Sequence, residues 1–110
     1  MHEPLVLRDQ KSPTDHRHLS VTIQPDGALR IVGHDLGDGV ERALGNGMRE
    51  YEWITEVAAA DVQSVLDALG GERGANPLDV IATSCMHNPS RLENTIRALG
   101  IKPKFWSRMA

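Results

Sequence analysis

Two glutamates separated by one residue, Glu50 and Glu52, are the best candidates in this chain for side chains that act together in chemistry. In a β-strand, side chains two positions apart leave the same face about 7 Å from each other. Such a carboxylate pair can hold a divalent cation or perform acid–base chemistry, with His34, Asp35 and Asp38 contributed by the preceding loop. Alternating charges are also typical of an ordinary solvated strand face, and that interpretation is favoured here.

The single thiol of the chain has a base close by in the sequence, because Cys85 is followed by His87. Two positions apart on a helix, the two side chains would diverge by about 200°, too far for a nucleophile and its base. Cys85 also completes an apolar helical stripe, which predicts a core position. The glycines of residues 37–47 match neither a dinucleotide-binding nor a P-loop spacing and are typical of turns.

Histidines offer a second kind of candidate ligand, since His16 and His18 stand two apart and His2 and His34 are further donors. No further ligand spacing accompanies the His-x-His pair, which favours a solvated loop over a metal site. We therefore predict no catalytic residue, no metal and no cofactor for this chain.

Charge is distributed unevenly along the chain, although the net charge is only −3. Residues 35–56 contain six acidic and two basic side chains, whereas residues 91–110 contain five basic and one acidic. The middle of the chain is therefore acidic and its end is basic. A net negative protein is not expected to bind nucleic acid directly, because that binding usually needs a basic surface.

Length and composition predict one domain spanning residues 1–110, with residues 1–18 forming an edge strand and a flexible arm. The apolar runs are far shorter than the roughly 20 residues of a membrane span, so no membrane partner is expected. Residues 1–10 lack the apolar stretch of a secretory signal, and a single cysteine suits a reducing compartment. We expect a cytoplasmic protein.

The elements that must position these residues follow from two periodicities. Alternation over residues 19–24, the Pro25-Asp26-Gly27 turn and a return strand over 28–33 predict a hairpin, while 8–18 resemble a loop. Residues 49–57 alternate again, which places Tyr51 and Trp53 towards the core and the glutamates outside. Residues 5–7 supply an edge strand, and one or two helical turns are expected near 40–44.

Helical periodicity begins after that strand. Residues 59–69 form the first apolar stripe, Asn76-Pro77 starts a helix that extends to about residue 86, and Asn88-Pro89 starts another that ends at Gly100. Residues 102–109 return as a strand or an extended tail, with Phe105 and Trp106 favoured as core anchors. The fold class is thus α+β: an antiparallel meander of three to four strands followed by two or three packed helices.

The run Gly33-His34-Asp35-Leu36-Gly37, with Val40-Glu41 and then Glu50-Tyr51-Glu52-Trp53, resembles a family of small uncharacterised actinobacterial proteins with a D-L-G … E-Y-E-W core. The similarity covers about residues 19–70. It implies the hairpin, strand and helix order above and no activity or cofactor. By analogy, small acidic α+β proteins include immunity proteins and antitoxins that block a toxin nuclease.

The function expected from these observations is non-enzymatic protein binding, in which an acidic surface meets a basic partner and raises the rate of association. The candidate binding residues are Asp35, Asp38, Glu50, Glu52 and Trp106. One alternative is a small metal-dependent hydrolase or ligand-binding domain that uses the same four carboxylates. Another is a structural subunit that forms a homodimer through an open sheet edge or the aromatic C-terminus.

Overall fold

The computed structural model describes residues 3–110 and has the expected α+β architecture, with five strands and four helices. All five strands form one antiparallel sheet in the order β1-β2-β3-β4-β5, so β1 and β5 are its edges. In chain order the elements are β1 (Leu5–Lys11), β2 (Asp15–Ile23), β3 (Leu29–Gly37), α1 (Asp38–Leu44), β4 (Glu50–Val57), α2 (Ala59–Ala68), α3 (Pro77–Cys85), α4 (Ser90–Ala98) and β5 (Lys104–Met109).

The prediction that residues 8–18 form a loop is wrong, because they belong to the first hairpin. This segment is the far end of β1, a tight turn and the start of β2, with Asp9 opposite His18 and Lys11 opposite His16. The Ser12 hydroxyl closes the turn by accepting the Asp15 N–H at 3.0 Å. Strand periodicity is missing from the sequence because this end of the hairpin extends beyond the apolar core, where both faces carry polar side chains.

The second hairpin has the predicted turn, but its return strand is longer than predicted. Gly27 adopts a positive φ of 91°, and the Asp26 carboxylate accepts the Ala28 N–H at 3.0 Å. The return strand β3 continues to Gly37 instead of ending at residue 33, because it pairs along its whole length with β2 and β4. The predicted glycine-rich loop is therefore partly sheet. The helical turns expected near residues 40–44 are α1.

The three helices α2, α3 and α4 pack on one face of the sheet and form its core. Strand residues Leu19, Val21, Leu29, Ile31 and Val57 meet helix residues of the predicted stripes, which are Val62, Val65, Leu66, Ile81, Cys85, Leu92 and Ile96. The Asn76 side chain caps α3, as predicted, by accepting the Leu78 N–H at 3.0 Å. At α4 the cap residue is Pro89, and no side chain caps this helix.

The last strand returns from the helices to pair with β4. Glu52 lies opposite Arg108, Ile54 opposite Trp106 and Glu56 opposite Lys104. The prediction that the two aromatic residues anchor the core is wrong, because Phe105 is 59% and Trp106 48% exposed. An edge strand has a neighbour on one side only, so its large side chains stay open to solvent. Within residues 3–110 no helix is long and apolar enough to span a membrane.

Candidate docking surface

The sheet has two unlike faces. One face packs against the helices, and on the opposite face, which we call the open face, no helix packs within residues 3–110. Strand alternation and pairing assign the open-face side chains. They are Val6, Asp9 and Lys11 from β1, His16, His18, Ser20 and Thr22 from β2, Arg30, Val32, His34 and Leu36 from β3, Glu50, Glu52, Ile54 and Glu56 from β4, and Lys104, Trp106 and Arg108 from β5.

A mainly apolar row, in which Ser20 is the one polar member, crosses the middle of the open face; we call it the apolar row. Ser20 on β2 pairs with Val6 and Val32, and Ile54 on β4 pairs with Val32 and Trp106, so one row runs through all five strands. Val6 is 43% exposed at one end of the row and Trp106 48% exposed at the other. The row therefore leaves apolar surface in water where a partner can remove it.

The two glutamates do share a face, as predicted, but they are bound to a cation. The Arg108 guanidinium donates to Glu50 at 2.5 Å and lies 4.0 Å from Glu52. On the other side of β4, the His34 imidazole lies 3.6 Å from the Glu50 carboxylate. Arg108 thus neutralises the carboxylate pair on which the metal or acid–base interpretation depends.

The acidic middle and the basic end of the chain are brought together by the β4–β5 pairing. Glu52 and Glu56 lie opposite Arg108 and Lys104, and Arg30 on β3 donates to Glu56 at 3.0 Å. The open face carries carboxylates and basic side chains in equal number. They are Asp9, Glu50, Glu52 and Glu56 against Lys11, Arg30, Lys104 and Arg108. The surface therefore offers both signs of charge and is not simply acidic.

The histidines lie on the same face but do not assemble a metal site. His16 contacts Asp9 across the first hairpin at 2.6 Å, and this hydrogen bond lowers the pKa of the Asp9 carboxyl. The His16 and His18 rings stand edge to face with centroids 6.3 Å apart. No three His, Cys, Asp or Glu side chains of residues 3–110 are grouped as metal ligands. His2 lies outside the described residues.

The other two predicted carboxylates lie elsewhere. Asp35 is on the helix-covered side of β3, where Arg17 Nε lies 3.6 Å from its Oδ1. Asp38 begins α1 and is bound by Arg49 at 2.7 Å. The four carboxylates proposed for a hydrolase or ligand-binding centre therefore occupy three separate places, since only Glu50 and Glu52 are neighbours.

A cavity of about 410 Å³ lies between α1 and the inner face of the sheet, lined among others by Arg17, Asp35, Leu44 and Tyr51. Asp35 Oδ1 is shielded from solvent and lacks a hydrogen-bond partner among residues 3–110. The α1 end of this cavity is fixed by Asp15, whose carboxylate accepts a backbone N–H at 2.7 Å. That hydrogen bond lowers the pKa of Asp15. The cavity contains one unsatisfied carboxylate oxygen and no nucleophile with a base.

Beside this cavity, Trp53 lies flat across β3 at Gly33 and stacks on Tyr51 with ring centroids 5.2 Å apart. Its indole lies close enough to Glu93 on α4 to affect the pKa of that carboxyl. Burial raises the pKa of Glu93, although the nearby Arg97 and the indole oppose the shift. On the inner face Trp53 is therefore partly buried and packs against the core.

We expect Glu93→Gln to raise the free energy of unfolding at pH 8, because glutamine removes a partly buried charge and keeps an acceptor for the indole. A carboxyl with a raised folded pKa destabilises the fold most above that pKa. Stability is regained as the pH falls towards the ordinary glutamate pKa of about 4.3. Urea unfolding at pH 8 and pH 4 should therefore show a difference between variant and wild type that shrinks at pH 4. An equal difference at both pH values would contradict this.

The thiol is a core residue, as predicted. Cys85 is fully buried on α3, and burial raises the pKa of its thiol, so the reactive thiolate is disfavoured. His87 is exposed beyond the end of the helix. The two residues do not form a nucleophile and base pair.

The structure also identifies surface residues that the sequence reading missed. Val6 and Val32 join Ile54 and Trp106 in one row only because four strand pairs bring them into register. Ile54 among three glutamates was the one local signal, since an apolar residue on an otherwise charged strand face indicates cover by another surface. No family model, curated protein or solved structure matches this chain.

Proposed function

We propose that this chain is a non-enzymatic protein-binding module whose docking surface is the open face of the sheet. One observation carries the proposal: a row with apolar side chains on four of its five strands, and Ser20 on β2, lies on a face that no helix of residues 3–110 covers. Three of the expected binding residues, Glu50, Glu52 and Trp106, lie on this face.

The physical case rests on solvent exposure. Continuous apolar surface on a folded protein usually marks a place where another surface binds. A half-exposed tryptophan is the side chain most often found as an anchor at such interfaces, and Trp106 ends the row. The neighbouring charges form the polar rim that accompanies an apolar interface centre.

The charges on the open face also define the chemistry of the partner. Because Arg108 already binds Glu50 and lies near Glu52, a purely basic partner would have to displace it. The face instead favours a protein surface with an apolar centre flanked by both signs of charge. An immunity- or antitoxin-like role for this chain, with a toxin as its partner, is one outcome of the cross-linking experiment.

The hydrolase alternative has less support from the geometry. Its carboxylates do not converge in a cleft, because Asp35 faces the helices and Asp38 is bound by Arg49. A catalytic centre needs such groups within reach of one reacting atom. The protein-binding proposal requires no such convergence.

The proposal is tested with a photo-reactive amino acid placed at Val32, in the centre of the open face, and expressed in the source cells. The matched control places the same residue at Ser64, which is exposed on α2. We expect irradiation to give a discrete protein adduct at Val32 only. The adduct should be lost when Ile54→Asp is added, because a carboxylate in the apolar row opposes docking.

The mass of the adduct identifies the partner, since a second copy doubles the chain mass and a different protein does not. Mapping the cross-linked peptide shows which partner surface is involved. Failure to obtain an adduct at Val32, or equal adducts at Val32 and Ser64, would refute the protein-binding proposal.

A further inference from the structure

The open face has a regular pattern of side chains, set by the pairing of its strands. The central row reads Val6, Ser20, Val32, Ile54 and Trp106 from β1 to β5. The next row reads Asp9, His18, His34, Glu52 and Arg108 in the same order. Each row therefore has a defined order from one sheet edge to the other.

These rows are complementary to themselves when two sheets meet face to face. Consider a two-fold axis that runs parallel to β3, centred over that strand and midway between the two sheets. Rotation about this axis places each row over the same row of the second copy. It also reverses the strand order, so β1 of one copy lies over β5 of the other. Asp9 then faces Arg108 of the second copy, and His18 faces Glu52 of the second copy. Each of these facing pairs joins an acidic side chain to a basic or protonatable one, although within one chain Asp9 already contacts His16 and Arg108 already contacts Glu50.

The apolar row is complementary in size under the same axis. Val6 faces Trp106 of the second copy, and Ser20 faces Ile54 of the second copy, so a small side chain meets a large one at each position. Val32 lies on the axis and meets its own copy. Alternation of small and large residues across facing layers allows side chains to interdigitate.

Arg30 is the charged side chain that β3 places on the axis, and it is already neutralised. Arg30 on β3 donates to Glu56 with its Nε and a terminal nitrogen at 3.2 and 3.0 Å. It therefore meets its own copy as an ion pair and not as a free cation. This removes the main like-charge contact that the two-fold arrangement would create.

The available area suits a dimer of ordinary size. Five strands spaced about 4.8 Å apart and up to about 30 Å long give a flat footprint of roughly 600 Å², before side-chain relief is added. A standard interface buries about 800 Å² per partner. Stacked sheets cross at about 30°, which offsets the outer strands by roughly 5 Å. The half-exposed Arg108 side chain is long enough to span that offset.

We propose that a second copy of this chain occupies the open face and forms a two-fold symmetric dimer with β1 over β5. The inference rests on the proposed function, because it names the partner of the same surface. The symmetry places the Asp9 and Arg108 contact twice in each dimer, once on each side of the axis.

The test uses two charge reversals, Asp9→Arg and Arg108→Glu, followed by sedimentation equilibrium of the purified full chain. Each variant alone places like charges opposite each other at both contacts, so its dimer should be weakened roughly tenfold or more. An equimolar mixture restores opposite charges at both contacts of a mixed dimer. We therefore expect the mixture, with one variant mass-labelled, to form mixed dimers about as tightly as the wild type.

Two controls keep folding apart from association. Glu72→Arg makes the same change of charge as Asp9→Arg, but in an exposed loop, and should leave the dimer unchanged. Circular dichroism reports whether each variant is folded. Val32→Asp places two carboxylates on the axis and should give a monomer.

A wild type that stays monomeric at about 100 μM, well above the roughly micromolar or lower Kd of interfaces of this size, overturns the inference. The inference is also overturned if the mixed dimers are no tighter than the dimers that each variant forms alone. A monomer that still gives a Val32 adduct with a different protein leaves the protein-binding proposal standing, which separates the two failures.

Discussion

Replacing Gly33 with alanine is expected to lower the free energy of unfolding by about 2 to 3 kcal/mol, the upper part of the usual cost of overfilling a packed site. A Cβ at this position would lie 2.1 Å from Cζ2 of Trp53. The indole cannot move away without losing its stack on Tyr51 and its packing against the core. Urea unfolding followed by circular dichroism measures the change.

The matched control for this effect is a double-mutant cycle with Trp53→Val. Valine suits a strand and is too short to lie across β3, so the added methyl group has room. In that background Gly33→Ala should cost less than about 1 kcal/mol, because the two changes are coupled through one contact. Additive costs would show that the loss arises from the β3 backbone and not from the indole.

Truncating Leu92 to alanine is expected to destabilise the protein by about 2 to 5 kcal/mol, the range for a buried leucine. Leu92 is 0% exposed and is the position at which α4 enters the core cluster. The change leaves a cavity in that core cluster. The measurement is again the urea midpoint, with the slope checked for two-state behaviour.

Asn94→Ala on the same helix provides the control, because Asn94 is exposed and outside the core. It should change stability by no more than about 0.5 kcal/mol. A small loss for Leu92→Ala would mean that α4 contributes little to the fold and that its residues are free to move relative to the sheet.

Together these predicted effects assign different roles to the two faces of the sheet. The helix-covered face holds the fold together through Leu92 and its neighbours and through the Trp53 contact. The open face carries the mainly apolar row and the charged rows, to which we assign docking in our proposal. Variants on the inner face should therefore act on stability, whereas charge reversals at Asp9 and Arg108 should act on association.

Local sequence was sufficient to predict the elements whose signals lie within a few residues of each other. The alternation over residues 50–57 correctly placed Trp53 inside and Glu50 and Glu52 outside, because side chains of a strand alternate whatever their neighbours are. The Pro25-Asp26-Gly27 turn and the Asn76 cap were predicted for the same reason, since each is a short-range hydrogen-bonding device.

Long-range pairing decided what the sequence could not. Residues 8–18 lack an apolar pattern, yet they are sheet because β3 and the rest of β1 and β2 fix their register. The exposure of Trp106 depends on β5 being an edge strand, which is a property of the whole sheet.

For the candidate surface, too, the sequence determined one part and the tertiary structure decided the other. From sequence, Glu50 and Glu52 formed an acidic pair, and the basic C-terminal segment lay about 50 residues away. The fold places Arg108 against that pair and sends Asp35 to the other face. Charge along a chain is therefore determined by the sequence. Whether that charge is exposed or neutralised is decided by strand pairing, because only the tertiary structure brings distant side chains within a few ångströms.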